Sequence, residues 1–357
     1  MMEKQRLLVI FGGRSMEYYA ACKAVAGLVD HIDREKFDVL QIGVTYEGEW
    51  MLTKATSQEI YDGESWTKRP DNRRAVITPE RNRGTITVFD GDRCYEEKID
   101  VIFPLICGYG GEDGRLQGLL DLSNIPYVGS GVAASANSMD KELTRLFADA
   151  CGVKQPACVI LTREQYEAAG RNAAPFITFD YPVYVKPATG GTSVGVSRVE
   201  NESELAAAMD ESFRHDDKTL IEQGITGTEI KVAVLETEHD LETGAICEIV
   251  MDPGTVNDYE TKQNKSSEKH IPAHLGEQVE ADILEQSKRV FRALGCRGFA
   301  RVDFFLTPEK EIVFNEINTV PGLGKTSIYS VMFEKAGVPF TQLLTRLIGS
   351  AFWKQGN

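Results

Sequence analysis

No two cysteines in this chain are separated by two residues, no apolar run approaches bilayer length, and basic residues are outnumbered. The seven cysteines, scattered from Cys22 to Cys296, argue against a disulfide framework and against a zinc site. The longest apolar runs, such as Leu7–Phe11 and Val101–Ile106, are too short to span a membrane. Met1-Met2-Glu3-Lys4-Gln5-Arg6 leads straight into a strand-like run without a signal-peptide layout, so the cytoplasm is the expected location. A net charge of −15 disfavours nucleic acid or an anionic membrane surface as a partner. An anionic substrate would therefore need a local cluster of Lys and Arg. Repeats, low-complexity tracts and coiled-coil heptads are also absent.

At 357 residues, with 42% hydrophobic and 26% charged content, the chain suits two or three globular domains. It opens as a strand (7–11), a glycine turn (Gly12-Gly13), a helix from about Ser15 to Val29 and a second strand near 37–44. Residues from about Thr53 to Gly84 are polar and carry Pro70 and Pro79, which suggests a surface excursion. Further strands are expected near 101–105, 157–161, 181–186, 219–222, 229–235 and 245–251. Helices are expected at about 140–151 and 203–213. Val279, Ile283, Val290 and Leu294 fall at helical spacing after a long polar loop from Asp252 to His274.

The most informative stretch is Phe299–Leu306, a Pro308–Lys310 turn, then Ile312–Asn318. Period-two alternation puts Arg301 and Asp303 on one face of the first strand, and Glu316 and Asn318 on one face of the second. As a hairpin these strands would gather two carboxylates, an amide oxygen and an arginine, with Val302, Phe304 and Ile317 filling the opposite face. Hard oxygen ligands of this kind suit Mg²⁺ bridging nucleotide phosphates. A second element, Tyr184-Val-Lys186-Pro-Ala-Thr-Gly190-Gly-Thr192-Ser193-Val-Gly195, runs from a strand lysine into a glycine-rich turn able to approach phosphate closely. Gly322-Leu-Gly-Lys325-Thr326 imitates the end of a P-loop. Thr319 stands where its first glycine belongs, and no strand–loop–helix surrounds it, so that reading is rejected.

With these motifs in order, the chain resembles the D-alanine–D-alanine ligase family of ATP-grasp enzymes from Gly12 to about Tyr329. Gly12–Glu17 looks like its amino-terminal motif, and Gly108–Gly114 with Gln117-Gly118 looks like its second. The resemblance implies an α/β and α+β fold in a three-domain ATP-grasp architecture, divided as 1–131, 132–223 and 224–357. ATP would lie between the last two domains, and the amino acids between the first and last. It implies that Glu17 anchors the first amino acid's ammonium group, and that Lys141, Lys186 and the ω-loop Lys262 contact the ATP phosphates. Ser193 belongs to the phosphate loop, Glu222, Gln223 and Ile225 to the adenine connector, and Glu229 to the ribose site. Arg301 falls on the catalytic arginine and Asp303, Glu316 and Asn318 on the Mg²⁺ ligands (Mn²⁺ as a substitute), while Gly322 and Ser327 receive the second molecule's carboxylate. The implied reaction is phosphorylation of the first carboxylate to an acyl phosphate, then attack by an amine or hydroxyl. Its place is peptidoglycan synthesis, its partners are small amino or hydroxy acids, and its assembly is a homodimer.

Three departures surround the amino-acid pocket. Cys107 stands where relatives usually have histidine, Thr192-Ser193 where they have Ser-Ser, and Lys262-Gln263 where they have Lys-Tyr. Thr192 keeps a hydroxyl and Gln263 can both donate and accept, so an analogous catalytic network is expected. With the nucleotide side intact, a changed choice of substrate is expected. His270, if the ω-loop folds inward, would make that choice depend on pH. The competing readings are drift within an ordinary D-alanine–D-alanine ligase and a non-catalytic nucleotide-binding homologue.

Overall fold

The computed structural model describes residues 3–81, 83–251 and 267–355. Seven strands form the first sheet: β1 (Gln5–Gly12), β2 (Phe37–Val44), β3 (Trp50–Thr53), β4 (Arg73–Ile77), β5 (Thr85–Asp90), β6 (Arg93–Lys98) and β7 (Val101–Leu105), in the order β6-β5-β4-β3-β2-β1-β7. Strand β1 runs parallel to both β2 and β7. It is covered on both faces, which is why Leu7–Phe11 reads as an unbroken apolar run rather than an alternating one.

The expected surface excursion over 53–84 is corrected. Strand β4 lies within it and buries Ala75 and Ile77, and Trp66 is fully enclosed. Trp66 packs edge-on to Phe11 and lies over Gly43, where a Cβ would come within 2.4 Å of the indole. Two alternating apolar residues and a lone tryptophan are too short a pattern to outweigh the surrounding charges in sequence.

A four-stranded antiparallel sheet follows, from β8 (Cys158–Thr162), β9 (Val183–Pro187), β10 (Ser197–Val199) and β11 (Lys218–Gln223), in the order β10-β9-β11-β8. The third sheet contains β12 (Thr228–Glu236), β13 (Leu241–Thr243), β14 (Cys247–Met251), β15 (Ser267–His270), β16 (Phe299–Leu306) and β17 (Ile312–Asn318). One of its faces, including Ile230, Val232, Val302 and Phe304, packs under the helix Glu277–Ala293. That helix is amphipathic and buries Ile283, Val290 and Phe291.

Leu7, Val9 and Phe11 share one core with Phe299, Tyr329 and Leu347, so the first sheet is closed by residues from the far end of the chain. This packing brings the amino-terminal loops against the β16–β17 hairpin. The helix Lys141–Ala150 is capped by Asp140, whose carboxylate accepts from the Glu142 and Leu143 backbone N–H groups. Lys218 joins Asp140 and Glu142, each at 2.6 Å, and so ties this helix to β11.

Candidate active site

The β16–β17 hairpin pairs Asp303 directly with Glu316 and Arg301 with Asn318, and a bulge follows Asp303. Val302, Phe304 and Ile317 are buried on the opposite face. Asp303 has no solvent exposure. Arg301 grips it with two hydrogen bonds of 2.7 Å, and Lys231 Nζ donates to it at 2.9 Å. Burial alone would raise the Asp303 carboxyl, but the adjoining Arg301 and Lys231 charges override that and hold it well below the usual carboxylate range. Lys231 also donates to Glu229, so a buried cation separates two buried acids. Glu316 stands more open, with Asn318 Nδ2 donating to it at 3.3 Å.

Opposite this hairpin lies the glycine-rich loop. Thr192 Oγ1 donates to Glu17 Oε1 at 2.5 Å. Thr192 and Ser193 both have φ near +60°, a left-handed backbone that is strained for a β-branched residue. Glu17 is hemmed in on its other side by Gly108, where a Cβ would come within 2.5 Å of its carboxylate. Glu17, Glu112, Lys141, Thr192, Glu222 and Glu316 line one cleft of roughly 700 Å³, its open mouth included.

Along the same cleft lining, Lys141 Nζ donates to the Gly190 carbonyl at 2.9 Å. Burial and the neighbouring Lys186 charge push its pKa below the ordinary lysine value. Lys186 pairs with Glu222, whose other oxygen accepts from Arg145 at 3.2 Å. Both acidic and basic members lie on one face of the β9–β11 pair, as their register requires. Gln223 ends β11 and Ile225 lies in the connector to β12, where Gly224 N–H donates to the Pro182 carbonyl. Ser327 precedes the helix Ile328–Lys335, and its hydroxyl lies over Gly322 and Gly324. Gly324 packs on Gly27 of the helix Tyr18–Val29. Lys262 and Gln263 lie outside the described residues.

The family model described as D-ala D-ala ligase N-terminus matches residues 6–130, and the one described as D-ala D-ala ligase C-terminus matches residues 147–349. The chain belongs to the D-alanine–D-alanine ligase family. It is 35% identical to a D-alanine–D-alanine ligase of Caldicellulosiruptor bescii, with 99% of this chain and 96% of the relative covered. It is 34% identical to a putative D-alanine–D-lactate ligase of Streptomyces coelicolor, with 98% of each covered. The VanG D-Ala:D-Ser ligase structure from Enterococcus faecalis superposes with a TM-score of 0.87 at 33% identity, over 98% of this chain and all of that one. The mixed α/β fold with three sheets is thus that of the family's ATP-grasp ligases, and the chain is an ATP-dependent ligase of this family.

The family uses ATP and Mg²⁺, and the donors present fit that ion. Asp303, Glu316 and Asn318 offer only hard oxygens, and Glu316 keeps an exposed side. No described helix is long and apolar enough to cross a membrane.

Two residues of this candidate site were missed in sequence. Lys231 follows Glu229 by two on β12 and therefore shares its face, a signal available from strand alternation. Glu112, inside the second glycine motif, is half-buried and accepts from Gly108 N–H at 2.6 Å and Val320 N–H at 2.9 Å. Burial first, and the Glu17 charge second, push its pKa from 4.5 to about 7. Beside it Cys107 Sγ approaches the Val320 carbonyl at 3.9 Å. Burial and the Glu112 and Glu17 charges raise that thiol well above its ordinary value, so it is neutral.

An effect of His270 on acceptor choice requires an inward-folded ω-loop, and the structure places His270 on the face away from Asp303. His270 pairs with Glu248, and Glu248 with Ile230, on the sheet face opposite Glu229 and Asp303.

Proposed function

We propose that this enzyme activates D-alanine and joins it to a second D-amino or D-hydroxy acid, without a strong preference for a second D-alanine. Relatives named for D-alanine, D-lactate and D-serine all match at about one-third identity, so family membership does not choose the acceptor. The observation that carries the reading is the neutral Cys107 thiol against Val320, in the segment leading to Gly322 and Ser327. A histidine there would offer a titratable donor, and the thiol offers none of comparable strength.

In this reading Glu17 holds the first ammonium group, and Thr192 and Gln263 close around it. Lys141, Lys186, Lys262 and Arg301 neutralise the transferring phosphoryl group and the developing oxyanion. Glu222, Gln223 and Ile225 bind adenine, with Ser193 at the phosphates and Glu229 at the ribose. Asp303, Glu316 and Asn318 hold Mg²⁺ (or Mn²⁺), which when bound neutralises nucleotide phosphate charge. Ser327, with Gly322, receives the second carboxylate. Domain boundaries near residues 131 and 223, a homodimeric assembly and a cytoplasmic location belong to the same proposal.

The test is ADP release from D-alanine alone and from D-alanine paired with D-serine or D-lactate, in the wild type and in Gln263→Tyr and Cys107→His. The expected result is faster turnover with a non-alanine acceptor, shifted toward D-alanine by either substitution. A preference for D-alanine at both positions, unmoved by both substitutions, would leave an ordinary D-alanine–D-alanine ligase.

A further inference from the structure

We propose a second cation site, for a divalent transition metal, formed by Glu248, His270 and His274 on the sheet face opposite Asp303. One ligand atom from each of the three lies within 4.8 Å of the other two. None of the seven cysteines takes part, so the site has no trace in the cysteine pattern.

The fold assembles these ligands from adjacent elements. Glu248 on β14 and His270 on β15 are direct antiparallel partners, so their side chains rise from the same face. After β15 the chain returns toward β14, where Ala273 N–H donates to the Ile246 carbonyl at 2.9 Å. His274 N–H then approaches Glu248 Oε2 at 3.4 Å, and the two imidazole rings stand 4.9 Å apart.

His270 supplies the second, independent observation. Its Nδ1 is buried with no hydrogen-bond partner among the described residues, and Glu248 Oε2 is 3.6 Å away, too far to satisfy it. Its Nε2 lies 3.2 Å from Glu268 Oε1. A neutral ring that donates from Nε2 to Glu268 carries its lone pair on Nδ1, directed toward Glu248. A carboxylate that fixes the far nitrogen of a ligating histidine is the usual support of a metal-bound imidazole. His274 is exposed, which provides both an entry path and room for water to complete the coordination.

Two imidazoles and one carboxylate suit Zn²⁺, Co²⁺ or Ni²⁺, whereas Mg²⁺ prefers the all-oxygen set on the other face. Tetrahedral ligation would bring ligand atoms to about 3.4 Å of one another. The closure needed is about an ångström, within reach of rotation of the exposed His274. Metal bound here would clamp edge strand β15 to β14.

The test is Co²⁺ titration of the full-length enzyme in saturating Mg²⁺, followed by visible absorption, then displacement by Zn²⁺. Wild type and Glu316→Gln should each take up one equivalent with bands typical of nitrogen ligation. His274→Gln, a change at an exposed side chain, should weaken binding at least about tenfold, since losing even a group that only orients a ligand costs that much. Zn²⁺ should raise the melting temperature of wild type and not of His274→Gln. Absence of such bands, equal binding by His274→Gln, or loss of binding in Glu316→Gln would each overturn the proposal.

Discussion

The Thr192 hydroxyl meets the Glu17 carboxylate at 2.5 Å across 175 residues of sequence. The glycine-rich loop of the second sheet is thereby joined to the first loop of the chain, and the joint includes a β-branched residue with φ of 56°. Thr192→Val should lower kcat/KM for the first amino acid by about 10- to 100-fold, the cost of losing a hydrogen bond to a charged group. Thr192→Ser should stay close to wild type. Initial rates at varied first-substrate concentration separate the two, and equal losses in both variants would remove the hydroxyl from the argument.

Glu316→Gln should raise the Mg²⁺ requirement and lower turnover while leaving stability nearly unchanged, because its carboxylate is partly exposed. Asp303→Asn should also lower stability, by about 3 kcal/mol or more, since it leaves Arg301 and Lys231 facing a neutral amide in a buried site. Mg²⁺ titrations of activity together with urea unfolding check both. An unchanged Mg²⁺ dependence in Glu316→Gln would remove it from the ligand set.

Lys231→Met should destabilise the fold by about 3 kcal/mol, because it withdraws the cation between the Glu229 and Asp303 carboxylates. The double variant Lys231→Met, Glu229→Gln should recover part of that loss. Urea midpoints of the four proteins in the cycle give the coupling, and strict additivity would argue against a shared network.

Glu112 makes stability depend on pH. Its folded pKa, about 7, lies above the unfolded 4.5, so the native state holds a proton between those values that the unfolded state has released. The contribution is full below about pH 4.5 and is lost as pH rises through about 7, with a ceiling of about 3 kcal/mol. Glu112→Gln should flatten the change in urea midpoint between about pH 5 and pH 8. A wild-type slope in that variant would assign the dependence elsewhere.

Lys186→Ala should raise KM for ATP severely and lower turnover, since it removes positive charge from the proposed phosphate site and leaves Glu222 paired with Arg145. Initial rates at limiting and saturating ATP are the check. Wild-type rates at both would exclude Lys186 from the nucleotide site.

The sequence by itself determined the features that strand alternation and local motifs control. Arg301, Asp303, Glu316 and Asn318 share a face because two short strands joined by a tight turn have little choice of register. The glycine-rich loop after Lys186 and the helix Glu277–Ala293 were legible for the same local reason. Only the tertiary structure decided which distant groups meet. That Thr192 reaches Glu17, that Lys231 rather than solvent neutralises Glu229 and Asp303, and that Trp66 fills the space over Gly43 all depend on sheets packed from distant segments. Glu112 and Cys107 owe their perturbed protonation to that packing, because desolvation depends on what covers a group rather than on its neighbours in sequence. The side on which His270 lies was open in sequence, because a strand's face is fixed only when its partner is known, and its partner is Glu248.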